Sequence, residues 1–221
     1  MGSKLAQNKF MKLFVALLGI FLATTSQPAL AQAHATVLSD ADQVEVTKLE
    51  NYLDSLTTLK ARFLQTADDG KTAQGTAWLD RPGRMRFEYD KPSKLLLVAG
   101  HGIVVFHDGS LDQTSNIPLD QSPLGVLLGE HIKLHGDVMV TDFEHLPGQY
   151  VLTLVKSGAV GDGTLTLNFN ETPLQLTGWS VVDAQGHETN IRLSQVALGG
   201  DFAGSLFTYI DPDFFKQGND R

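Results

Sequence analysis

The 221-residue sequence contains no cysteine. Its fold therefore rests on no disulfide, and with no Cys to acylate the chain is not expected to be a lipoprotein itself. Basic residues are in the minority, 17 Lys and Arg against 25 Asp and Glu, for a net charge of −8. That balance argues against nucleic acid as a partner and against a resting place on anionic bilayers. No apolar run reaches the ~20 residues needed to span a membrane. Catalytic signatures are also missing: there is no G-x-S-x-G elbow, Walker A loop, G-x-G-x-x-G or H-E-x-x-H. Glu130, His131 and His135 have a metal-like spacing, but no third ligand is close in sequence, and ordinary loop histidines explain them better. No enzyme, catalytic residue, metal or cofactor is expected.

What is present begins with a secretory signal. Lys4, Lys9 and Lys12 precede the apolar run LFVALLGIFLA, and TTSQPALAQA supplies small residues with A-x-A at both Ala29–Ala31 and Ala31–Ala33. Residues 1–33 are read as a cleaved signal peptide and residues 34–221 as a single exported domain, long enough to bury one good core. Removing residues 1–33 takes away three lysines and no acid, leaving 14 basic and 25 acidic side chains and a net charge of −11.

One amphipathic helix opens this domain. Ser39 and Asp42 form a capping-box-like start, and Val46, Leu49, Tyr52, Leu53 and Leu56 recur at helical spacing. From Leu59 the period changes to two. About eleven short strands follow, separated by turns such as Asp69-Gly70, Gly100-His101-Gly102 and Pro147-Gly148. Many short strands in meander spacing argue for a barrel or a strongly curved antiparallel sheet. DQSPLGVLLGEHIKL interrupts the rhythm and is read as a short apolar helix inserted between strands.

Within RMRFEYD, Met85, Phe87 and Tyr89 share one strand face, while Arg84, Arg86 and Glu88 share the other, wet face. Phe63, Trp78, Phe106, Phe169 and Trp179 are placed with the first three around one concave surface. Such a surface can fill its own core or leave a ligand cavity. Pattern alone favours the filled core.

Several motifs occur in a telling order. After the helix comes L-x-x-L-x-A-x-F-x-Q, from Leu56 to Gln65. G-x-x-W-L-x-R-P-G-R-M-R-F-E-Y-x-x-P follows from Gly75 to Pro92, and S-P-L-x-x-L-L from Ser122 to Leu128. In this order they resemble the LolA family of periplasmic outer-membrane lipoprotein carriers. The resemblance implies an unclosed antiparallel β-barrel with an N-terminal helix and short lid helices over an apolar cavity. It implies that Met85 and Phe87 face the cavity, that Leu124, Leu127 and Leu128 belong to the lid, and that Arg81 contacts the lid as a latch. Acylated lipoproteins are the implied cargo, an inner-membrane ABC-type release complex the donor and an outer-membrane acceptor the recipient, with a monomer acting in the periplasm. The same apolar half-barrel would also suit a sensor or regulatory module, or a carrier of free lipid.

Overall fold

The computed structural model describes residues 35–158 and 163–210. The signal-peptide stretch, residues 1–33, lies outside the described residues. Helix α1 (Asp40–Ser55) starts where the sequence predicts. The Ser39 hydroxyl accepts the Asp42 N–H at 3.1 Å, and the Asp42 carboxylate accepts the Ser39 N–H at 3.3 Å, so each satisfies an otherwise orphan donor. At the far end the Leu56 N–H reaches back to the carbonyls of Tyr52 and Leu53. Val46, Leu49 and Leu53, one stripe of α1, are buried.

The strands are β1 (Thr58–Ala67), β2 (Thr72–Asp80), β3 (Arg84–Tyr89), β4 (Leu95–Gly100), β5 (Ile103–Asp108), β6 (Gln113–Pro118), β7 (Val138–Leu146), β8 (Gln149–Lys156), β9 (Gly163–Asn170), β10 (Gln175–Asp183) and β11 (Glu188–Leu198). They form one eleven-stranded antiparallel sheet in the order β6-β5-β4-β3-β2-β1-β11-β10-β9-β8-β7. Consecutive strands pair as hairpins except β6 and β7, and the first and last strands, β1 and β11, pair with each other in the middle of the sheet. His101 and Gly102, both at positive φ, make the two-residue β4–β5 loop whose twist matches that of the strands it joins. Register shifts at Lys60/Arg62, Val140/Asp142 and Leu176/Gly178 add the local bending that curls a sheet.

The sheet does not close: β6 and β7 are its two edges. The chain between them carries a 3₁₀ turn (Leu119–Gln121) and the one-turn helix α2 (Gly125–Leu128), shorter than the inserted helix the sequence suggests. Helix α1 is tied to the β7–β9 side through Tyr150, whose hydroxyl donates to Glu45 at 2.7 Å and accepts from Lys48 at 3.1 Å. The Tyr150 bond first, and then the bond that Lys48 itself donates to Glu45 at 3.2 Å, hold the Glu45 carboxyl below its usual range.

A second, smaller packing layer lies on the outer face. The 3₁₀ turn Gly204–Phe207 sets Phe207, 2% exposed, beside Arg84, and Arg86 donates to the Leu206 carbonyl at 3.3 Å. The expectation that Arg84 and Arg86 form a simply wet face is therefore corrected: the chain after β11 returns across that face and half-covers both.

Candidate functional site

The concave side of the sheet gathers one apolar cluster. Phe63, Met85, Phe87, Tyr89, Phe169 and Trp179 all belong to it, and none is more than 8% exposed. Phe63 sits 4.7 Å from Phe87 and 5.1 Å from Tyr89 between ring centroids, and Trp179 meets Phe87 edge-on at 6.0 Å. Strand pairing places them there: Gly75 lies between Phe63 and Tyr89, and Ala77 beside Phe87, so small residues of β2 separate large ones on β1 and β3. The Tyr89 hydroxyl donates to Gln65 at 2.6 Å, and burial pushes its pKa well above the ordinary value.

Two of the eight predicted surface residues behave differently. Trp78 points to the outer face, where its register partners are Lys60 and Arg86 and the Lys60 ammonium lies 5.6 Å from its ring. The parity of β2 requires this, because Ala77 and Leu79 take the inner positions. Phe106 keeps the inner face by register with Leu97, but it is half-buried and stands outside the cluster, towards the β6 edge. The six clustered residues are buried together with the elements that cover them. Leu49 and Leu53 of α1, Leu127 and Leu128 of α2, and Ile132 and Leu134 pack into the same cluster and fill the concave face, with Leu124 half-buried against it. An open volume of about 660 Å³ lies to one side between segment 119–137 and the ends of β8 and β9, and of the predicted cavity and lid residues Leu128 lines it.

Arg81 bonds to both the end of α1 and the segment after α2. It follows β2, and its side chain is 3% exposed. Its Nε donates to the Gly129 carbonyl at 2.9 Å and Nη2 to that of Glu130 at 3.2 Å. Nη1 donates to the carbonyls of Leu53 at 2.6 Å, Asp54 at 3.3 Å and Leu56 at 2.9 Å. One guanidinium thus joins the C-terminal carbonyls of α1, where the helix dipole favours a cation, to the loop that follows α2. Burial lowers its pKa, and the Asp54 carboxylate at 3.7 Å acts against that. Beside it the Gly83 N–H donates to the Leu128 carbonyl at 2.8 Å.

Sequence reasoning missed two residues of this arrangement. Asp54 accepts the Ile132 N–H at 2.9 Å, and Glu50 accepts the Leu134 N–H at 2.8 Å. Neither acid stands out in the sequence. Their four-residue spacing on one helix face was the available signal, but it has meaning only once the 129–134 segment folds against that face. His131 and His135 are exposed, and His131 lies 3.7 Å from Asp54. Among the described residues no group of three or more His, Cys, Asp or Glu is arranged to hold a metal.

A curled sheet, an apolar concave face and a tethered cover suit the holding of an apolar ligand. Comparison with known proteins agrees. Residues 54–210 match the family model described as "Outer membrane lipoprotein carrier protein LolA". The outer-membrane lipoprotein carrier protein of Methylococcus capsulatus is 30% identical over 182 residues, covering 79% of this chain and 87% of that protein. The carrier protein of Coxiella burnetii is 28% identical over 212 residues, covering 90% and 93%. Among solved structures, a LolA superfamily protein from Nitrosomonas europaea is similar with a TM-score of 0.41 at 12% identity, covering 74% of this chain and 97% of that one. The chain belongs to the LolA family of outer-membrane lipoprotein carriers.

Proposed function

We propose that this protein takes up the acyl chains of lipoproteins released from the inner membrane, shelters them while they cross the periplasm and gives them up at the outer membrane. Beyond family membership, one observation supports the reading: a single buried arginine ties two separate covers, the end of α1 and the loop after α2, over an apolar core. Each methylene left in water costs about 0.8 kcal/mol, so a triacylated protein with ~40 chain carbons would face roughly 30 kcal/mol unshielded. In the closed form the lid's own side chains occupy the place the cargo needs. Leu127 and Leu128 are each worth about 1.5–3 kcal/mol of burial, and acyl chains entering the core replace that burial with their own. Loading then exchanges one apolar filling for another, so the lid's lost burial offsets part of what the acyl chains gain and weakens their hold enough for release without a nucleotide at the carrier.

In this reading Arg81 is the latch and Leu124, Leu127 and Leu128 belong to the lid. Phe63, Met85, Phe87, Tyr89, Phe169 and Trp179 line the cargo site once the lid moves, with Phe106 at its rim. The donor is an ABC-type release complex of the inner membrane and the recipient an outer-membrane acceptor. The processed chain starts near residue 34, works as a monomer in the periplasm and carries out no chemistry. The test is to produce the full chain with its leader, recover it from the periplasm and identify what it holds by mass spectrometry. Acylated protein is expected. Phospholipid alone would make it a carrier of free lipid, and failure to take up a labelled triacylated lipoprotein from the donor complex would overturn the proposal.

A further inference from the structure

Arg81 grips the segment after α2 by its carbonyls at Gly129 and Glu130. We infer that Asp54 and Glu50 grip the same segment by its amides, as positioning residues that set how readily the lid opens; this inference rests on the carrier reading above.

Two repeats coincide to make the grip possible. Residues four apart on a helix are separated by about 6 Å along its axis, and residues two apart in an extended chain by about 6.6 Å. Glu50 and Asp54 therefore stand opposite Leu134 and Ile132, running antiparallel to them, and each carboxylate takes one N–H, at 2.8 and 2.9 Å. Between these amides the Lys133 ammonium comes back to Glu50 at 3.4 Å. The side chains of Ile132 and Leu134 are meanwhile buried in the apolar cluster. Anchoring these two amides thus fixes two of the aliphatic groups that fill the concave face.

Basic side chains stand around both acids. Arg81 and His131 each lie 3.7 Å from Asp54, Lys133 faces Glu50, and His135 lines the same shallow cleft as Glu50. An ionised acceptor bonds an amide roughly twice as strongly as a neutral one. Glu50→Gln and Asp54→Asn keep the shape and one carbonyl acceptor while weakening the bonds. Both side chains are partly buried, and changes of the same shape remove no core volume.

The processed protein would be compared with Glu50→Gln and with the double variant Glu50→Gln/Asp54→Asn, using amide hydrogen exchange and binding of a fluorescent triacylated cysteine peptide. In the double variant, exchange at Ile132 and Leu134 should quicken at least about tenfold. Exchange in β1 and β11 should stay as in wild type. Because cargo binds only the open form, the double variant should also bind the peptide about tenfold more tightly. Glu50→Gln alone should confine the faster exchange to Leu134. Unchanged exchange at both amides, or equal acceleration throughout the sheet, would overturn the inference. If the wild type binds no peptide, the carrier reading fails, and exchange at the two amides alone then decides the positioning role by the same outcomes.

Discussion

The Cε1 atom of Phe63 lies 2.7 Å from the point where a Cβ at position 75 would stand, and the Glu88 carbonyl oxygen lies 2.1 Å from it. Gly75 is therefore what lets the Phe63 ring lie across β2 towards Phe87 and Tyr89. A main-chain oxygen in the middle of a paired strand cannot give way as the end of a flexible side chain can. Gly75→Ala should destabilise the fold by about 1–3 kcal/mol or more, lowering Tm by several degrees in calorimetry. A variant melting with the wild type would mean that the ring is not held in this position.

The chain has two tryptophans, and they report on opposite faces of the sheet. Trp179 packs edge-on against Phe87 in the core, whereas Trp78 lies outside under Lys60. Trp179→Ala should cost about 3–5 kcal/mol, and Trp78→Ala about 1 kcal/mol or less. In Trp78→Phe, the remaining Trp179 emission should shift on addition of an acylated peptide. In Trp179→Phe, the Trp78 emission should not move. The reverse pattern would place cargo on the outer face.

Acid should loosen the cover through Asp54. Its carboxyl is held below the usual carboxylate range chiefly by the Ile132 N–H, with His131, Arg81 and Lys133 adding their charges. A carboxyl depressed in the folded state stabilises that state fully above its unfolded pKa, and the contribution fades as pH falls through the folded value. The exchange protection factor at Ile132 should therefore decline on acidification in the wild type, and Asp54→Asn should remove that decline. Protection that rises as pH falls would show that some other group controls the segment.

How much of this was legible in the sequence follows from the range of each interaction. Strand alternation is a local property, so the eleven strands and the inward set Met85, Phe87 and Tyr89 could be read directly. Ser39 declared the start of α1 in the same way. Trp78 was misread because its size outweighed its parity, although Ala77 and Leu79 already marked the other face of β2 as the inner one. The packing of Phe207 against Arg84 joins residues more than a hundred positions apart, with no periodic signal to announce it. The roles of Glu50 and Asp54 depend likewise on where a distant, irregular segment comes to rest. Pattern already favoured a filled core, but which leucines of α1 and α2 fill it became visible only with the fold in hand.

The bonds of Arg81 to five carbonyls can be tested through handover. Arg81→Leu removes the fork that joins α1 to the segment after α2 and leaves those carbonyls without their donor, at about 1–3 kcal/mol for each one that stays buried and unpaired. That cost falls on the closed form alone, so the open form gains population and cargo binds more tightly. Arg81→Lys should restore little of the function, since a point charge cannot reproduce the fork. The decisive measurement is transfer of one labelled triacylated lipoprotein from the preloaded protein to an outer-membrane acceptor, wild type against Arg81→Leu. The latch predicts full loading of the variant with transfer slowed at least about tenfold; transfer at the wild-type rate from a fully loaded variant would contradict it.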